Sequence, residues 1–146
     1  MNALNRKLIT GGLSKPSKMP GYAYNLPATE CKVGAKLVQV PGSVCHGCYA
    51  LKGRYRFPNV KEAMHRRLKS IDGPLWVETM AADINARKSK YFRWHDSGDI
   101  QSLAHLKKIF DVCKLTPDVA HWIPTRESGI LSKLGPEEVP ANLTIR

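Results

Sequence analysis

The stretch from Tyr91 to Ile145 alternates between two periodicities, and that alternation leaves few folds open. Tyr91–His95 is a short aromatic run of the kind that fits a pleated, half-buried surface. Leu103, Leu106, Ile109, Phe110 and Cys113 then recur at helical spacing, and Thr116-Pro117-Asp118 ends the pattern. Val119–Ile123 reads as a second strand, Ser128 as the cap of a short helix to Leu134, and Asn142–Ile145 as a third strand. Strand–helix–strand order implies parallel pairing, because parallel neighbours need a long connection and a helix supplies it. The predicted fold class is therefore α/β: a small, partly parallel sheet with crossover helices, an incomplete, half-barrel-like βαβαβ unit.

Two helices precede that unit. One spans about Val60–Ser70, with Asn59 as cap and Glu62 completing a capping box. The other spans about Pro74–Arg87, with Pro74 suited to a first turn. Residues 1–30 carry Gly11-Gly12, Pro16, Pro20-Gly21 and Pro27, so they are expected to be irregular, with short extended pieces at Lys7–Thr10 and Tyr22–Leu26. Residues 31–58 hold three cysteines and too few periodic apolar residues to keep a shape alone. Such a segment is ordered by a metal or by close packing. The 146 residues fit one domain, with 1–58 a loop-rich metal-binding segment and 59–146 a helical and α/β core.

The cysteines are the chemical signal. Cys45-His46-Gly47-Cys48 is a C-x-x-C, and Cys31 lies fourteen residues before it. Nothing resembles a signal peptide, and no run approaches the roughly 20 apolar residues of a membrane span. The expectation is a cytoplasmic protein with no membrane partner and reduced cysteines. Clustered thiolates then suit an iron–sulfur cluster, 4Fe-4S or 3Fe-4S, or zinc as the alternative. A thiol redox pair would need a strand before the motif and a helix directly after it, and neither is read here. Three cysteines leave one iron, or one zinc position, open; His46 and His95 are candidate fourth ligands. Cys113, on the apolar face of its helix, reads as a core thiol, with a fourth ligand as the alternative. From Ser102 its helix runs back by roughly 16 Å at 1.5 Å per residue, away from the loop after Tyr91–His95.

Open parallel sheets bind ligands at the carboxyl ends of their strands. Two polar clusters fall there. His95-Asp96-Ser97-Gly98-Asp99 offers acid–base groups, and Thr125-Arg126-Glu127-Ser128 offers a guanidinium for an anion. His95, Asp96, Asp99 and Arg126 are the candidate catalytic residues; Ser97, Gly98 and Thr125 are candidate cofactor-binding residues. The plain alternative is helix capping by Asp99 or Ser102 and by Ser128. A hydrolytic set of His95, Ser97 and Asp99 lacks the G-x-S-x-G turn that would expose the serine.

The net charge is +11, from 23 Lys+Arg against 12 Asp+Glu, which favours nucleic acid or an anionic small molecule as partner. Lys52, Arg54, Arg56, Lys61, His65, Arg66, Arg67 and Lys69 interleave with Tyr55 and Phe57, a mixture suited to a phosphate backbone with stacked bases. A solvated helix face with both aromatics packed inward is the equal alternative.

Several stretches resemble the phage gene product 88 family. These are Asn25-Leu26-Pro27-Ala28 ahead of a cysteine; Cys45-x-x-Cys48 followed by Tyr49-Ala50-Leu51-Lys52-Gly53-Arg54-Tyr55; and Phe57-Pro58-Asn59-Val60. Phe92 to Ile100 and Trp122-Ile123-Pro124-Thr125-Arg126 continue the resemblance, which covers about Tyr24 to Arg146. It implies a phage protein acting in the host cytoplasm. The family's cysteine pattern and β/α order are similar to those of radical S-adenosylmethionine-type iron–sulfur proteins, where a three-cysteine cluster leaves one iron for the cofactor. Here the first cysteine gap is much wider and the chain is far shorter than such a barrel. The function expected is an iron–sulfur enzyme with an open iron beside the strand-end pocket. The alternative is a zinc- or cluster-stabilised nucleic-acid-binding module using Lys52–Lys69 and Arg87–Lys90. A third reading is a phage protein that binds a host partner, with a purely structural metal.

Overall fold

Four short strands lie side by side in the order in which the chain makes them, and all are parallel. The computed structural model describes residues 2–17, 19–135 and 138–146. The strands are β1 (Tyr22–Tyr24), β2 (Tyr91–Trp94), β3 (Ala120–Ile123) and β4 (Leu143–Ile145). The helices are α1 (Ala3–Thr10), α2 (Lys32–Leu37), α3 (Pro58–Ser70), α4 (Trp76–Ala86), α5 (Leu103–Leu115) and α6 (Ser128–Leu131), with short 3-10 turns at Ala28–Glu30, Tyr49–Leu51 and Gly53–Arg56.

Register explains the core. Tyr22, Phe92, His121 and Leu143 form one row across the sheet. Two residues on, Tyr24, Trp94, Ile123 and Ile145 point to the same side, because strand side chains alternate. Trp76, Met80 and Ile84 of α4 and Leu106, Ile109, Phe110 and Cys113 of α5 join them in one buried cluster. The other side carries Ala23, Arg93, Trp122 and Thr144 in register.

The α/β class expected from the sequence holds: the sheet is open, not closed into a barrel, and all four of its strands are parallel. The piece expected at Tyr22–Leu26 supplies its fourth strand. Lys7–Thr10, expected to be extended, belongs to α1 instead. Asn2 Oδ1 accepts the Asn5 N–H at 2.9 Å, and Gly11, at φ 85°, closes the helix by donating to Lys7 O. Leu4 and Leu8 of α1 are 65% and 72% exposed, so the helix has no inward apolar stripe to announce it. Helix α3 begins at Pro58 with Phe57 in the cap position, so Asn59 is already inside and the capping box does not form. Pro74 lies ahead of α4. Helix α6 is short of Leu134, and Glu127 rather than Ser128 occupies its cap position. Ser102 does cap α5, accepting from His105 N at 3.0 Å.

Buried polar contacts tie the first residues to this scaffold. Arg67 of α3 donates to Gly12 O at 2.7 Å and to Asn25 Oδ1, joining the turn after α1 to the end of β1. Gly11 packs so closely on α3 that a Cβ there would lie 2.8 Å from Arg67 Cα. At the amino end of the sheet, Asn142 Nδ2 donates to Cys113 O, Thr116 O and Val119 O, each at 3.0 Å. Cys113 is thus a core thiol at the opposite end from the strand-end loops, and burial pushes it up to about 12.

His121 is locked as a neutral imidazole. Trp94 Nε1 donates to its Nδ1 at 3.1 Å, so its proton sits on Nε2, which faces Thr116 Oγ1 at 2.7 Å. Burial holds His121 down to about 4 and His105 to about 3, against an ordinary 6.5. The unfolded chain therefore binds more protons below 6.5, and stability that is complete above that value is lost as pH falls toward 4 and then 3. Each histidine should cost about 1.4 kcal/mol per pH unit in that window. Urea midpoints should fall between about pH 7 and about pH 5, and His121→Gln should make that fall shallower.

Candidate functional site

The cysteine segment has little core of its own and is held by the strand-end loops. Glu127 Oε1 accepts the Val33 N–H at 3.0 Å, Lys32 Nζ donates to Gln101 O, and Tyr49 donates its hydroxyl to Asp96 O. Tyr55 donates to Asp96 Oδ2 at 3.1 Å. These contacts lay the segment over the carboxyl ends of β2 and β3.

Cys31, Cys45 and Cys48 all belong to this segment, each half-buried and unpaired. Cys31 sits in the cap position of α2. A Cβ added to Gly34 would lie 3.1 Å from Cys31 Cβ, 3.6 Å from Cys45 Sγ and 3.7 Å from Cys31 Sγ, so these two sulfurs flank the same glycine. Burial, then the charges of Asp99, Cys48, Cys45 and Glu127, push the Cys31 thiol up to about 12. The three thiols are thus close enough to act on one another. Among the described residues, no three His, Cys, Asp or Glu side chains close in as the shell of a single metal ion. His46 is exposed, with Nδ1 2.8 Å from Val38 O, and His95 packs on Trp94 and His105.

The loop after β2 turns sharply. His95 has φ 58°, a left-handed conformation rare outside glycine, and its N–H donates to Tyr24 O at 3.0 Å. Gly98, at φ 83°, lies so near Leu26 that a Cβ would meet Leu26 Cβ at 2.6 Å. Leu26 N donates to Ser97 O at 2.9 Å, knitting this loop to the end of β1. Asp99 Oδ1 accepts from Ile100 N at 2.7 Å and Thr125 Oγ1 at 2.6 Å, and its Oδ2 accepts from Arg126 N at 2.8 Å. Thr125 Oγ1 in turn accepts from Glu127 N at 3.0 Å. Asp99, Thr125 and the Arg126 backbone are therefore spent on clamping the two loops together, while the Arg126 side chain is exposed.

The groups still available are His95 Nδ1 and Nε2, Asp96 Oδ1 and Ser97 Oγ, joined by Arg93 Nε and His105 Nε2. Every buried side-chain nitrogen or oxygen without a partner, among the described residues, is one of these six atoms around the end of β2. The His95 and His105 rings lie 5.3 Å apart. Burial, with the His105 and Arg93 charges, holds His95 well below its ordinary value, so the imidazole is neutral. Burial raises the Asp96 carboxyl, opposed by the Tyr55 hydrogen bond and by Arg93 and Arg67.

The gene product 88 family model matches residues 2–146. The chain belongs to the gene product 88 family. The match takes in α1 and β1 as well as the stretch from Tyr24 onward that carries the resemblance. No curated protein and no solved structure matches the chain. In this phage family member no described helix is long and apolar enough to cross a membrane.

Arg93 and His105 belong to this cluster of unpartnered groups, and sequence reasoning did not single them out. Arg93 hides in an aromatic strand run, and His105 occupies a helical position between apolar neighbours; neither carries a motif. The division between clamping and free groups has a measurable consequence. Asp99→Ala removes three hydrogen bonds and should cost about 3 kcal/mol in urea unfolding. Ser97→Ala removes an unpartnered hydroxyl and should cost less than about 0.5 kcal/mol.

Proposed function

We propose that this gene product 88 protein holds an iron–sulfur cluster through Cys31, Cys45 and Cys48, and that it is an enzyme working with the unpartnered polar groups around the end of β2. The observation that carries the reading is that Cys31, fourteen residues from Cys45, lies with it beside Gly34, while Cys48, Asp99 and Glu127 are near enough to act on Cys31. The donor set is purely thiolate, which suits iron–sulfur chemistry. Three ligands suit a 4Fe-4S cluster with one open iron, and 3Fe-4S is the form without that iron.

When bound, the cluster supplies an electron or a Lewis-acidic iron. The chain's own residues supply the remainder. Neutral His95 offers one ring nitrogen that accepts a proton and one that donates. Asp96 is oriented by Tyr55 and presents Oδ1. Arg93 supplies a fixed positive charge for an anionic substrate group. Burial excludes water and strengthens each of these contacts. S-adenosylmethionine at the open iron is a finer form of the reading that the comparisons do not support: no solved structure matches the chain, and the wide gap between Cys31 and Cys45 departs from the radical S-adenosylmethionine pattern. The host cytoplasm is the compartment in which such thiols stay reduced.

Anaerobic purification followed by iron, sulfide and zinc analysis tests the reading. The expected result is a brown protein with about four irons and four sulfides per chain, bleached by dithionite. Cys31→Ala, Cys45→Ala and Cys48→Ala should each lose most of the iron, Gly34→Val should lower it by crowding the sulfurs, and Cys113→Ala should keep it. A colourless protein carrying zinc alone, or none, overturns the reading.

A specific observation favours a second reading, a metal-stabilised nucleic-acid-binding module. Phe57, between the exposed Arg56 and α3, is 53% exposed rather than packed inward. Under that reading log affinity for a single-stranded oligonucleotide falls linearly with log salt, and Phe57→Ala costs about 1–3 kcal/mol of binding. A flat salt response, or an unchanged Phe57→Ala variant, removes it.

A further inference from the structure

The outer wall of the cysteine segment carries a cavity of about 230 Å³ that none of the groups above uses. Its floor is apolar, from Pro27, Ala50 and Met64. Arg56, Lys61 and His65 stand around it. Lys61 and His65 are one turn apart on α3 and so share a helix face, and Arg56 closes in from the preceding 3-10 turn. Among the described residues no carboxylate lines the cavity, and these three side chains have no hydrogen-bond or ion-pair partner.

Gathering basic groups without a counter-ion is unfavourable, and an anion relieves it. Three donors from two elements lining one cavity suit a tetrahedral dianion better than a planar carboxylate, for which a single arginine fork suffices. The apolar floor adds a second requirement, since inorganic phosphate has nothing to bury against Ala50 and Met64. The volume lies below that of drug-sized pockets, about 300–1,000 Å³, so the occupant is compact. We propose that this cavity binds a compact organic phosphate of the sugar-phosphate class, its phosphoryl group on Arg56, Lys61 and His65, its carbon skeleton on Pro27, Ala50 and Met64, and its hydroxyls toward Thr29 and the solvent side.

The site has a definite relation to the thiols. Pro27 lies just before Cys31 and Ala50 just after Cys48, so one ligand braces both arms of the segment. Tyr55 lines the cavity with its ring while its hydroxyl holds Asp96, which places the ligand one side chain from the strand-end pocket. The site stands whether or not the thiols hold iron.

Calorimetric titration of the full chain, both as purified and after anaerobic reconstitution, tests the proposal with ribose 5-phosphate, inorganic phosphate and ribose as probes. Ribose 5-phosphate should bind, inorganic phosphate should bind at least about tenfold more weakly, and ribose should give no heat. Lys61→Ala/His65→Ala, two exposed positions, should weaken ribose 5-phosphate by at least about tenfold with no change in the urea midpoint. Ala50→Leu should abolish binding by filling the floor without altering charge. Equal affinity for ribose 5-phosphate and inorganic phosphate overturns the proposal, as does a double variant that binds like the parent chain. Iron content measured on the same samples reports separately on the cluster.

Discussion

Asp99 accepts three hydrogen bonds from two loops that are remote in sequence, and the upper end of the molecule is arranged around that carboxylate. Its Oδ2 fixes Arg126 N, and Thr125 passes the order on to Glu127 N. Glu127 then receives Val33 of α2, two residues from Cys31. The position of the first thiol is thus set through side chains that start from the end of β2. A carboxylate buried this deeply is tolerable because its oxygens are occupied. Its cost is visible in the upward push that burial gives the group, against which all three hydrogen bonds work.

The neighbouring residues show the opposite economy. Proteins rarely leave buried polar atoms without partners, and a low local dielectric makes each one expensive. Here such atoms collect on Arg93, His95, Asp96, Ser97 and His105, while His121, equally buried a few ångströms along the sheet, is bonded on both ring nitrogens. The fold therefore satisfies a buried histidine where it serves packing and withholds partners at one strand end. His95 also carries a left-handed backbone conformation there, so unspent hydrogen-bonding capacity and backbone strain coincide.

Much of the scaffold was legible because it follows from local pattern. The α5 stripe of Leu106, Ile109, Phe110 and Cys113, its Ser102 cap, and the strands that flank it all follow from periodicity and propensity. The strand-end location of the His95–Asp99 loop follows from topology. What escaped reading depends on tertiary context. Helix α1 turns Leu4 and Leu8 to solvent, so nothing in its apolar pattern points inward. The pairing of β1 with β2 spans the longest connection in the sheet, and three residues give too little alternation to announce it. The roles of Asp99 and Asp96 could not be told apart in sequence, because which carboxylate finds partners is decided by Thr125 and Arg126 for one and by Tyr55 for the other.

The unequal lengths of the strand connections bear on the order in which the molecule assembles. Strands β2, β3 and β4 are joined through α5 and α6 by short crossovers, whereas β1 reaches β2 only after the cysteine segment, α3 and α4 have intervened. Closing a longer loop costs more entropy, and nonlocal pairings form late when nothing local rewards them early. The three short-range strands thus form a template on which β1 docks last. A ribosome delivers the thiols first, yet the surface that gathers them is made from residues translated later. Between those two moments the cysteines lack the partners, Asp96, Gln101 and Glu127, that hold their segment in the finished fold.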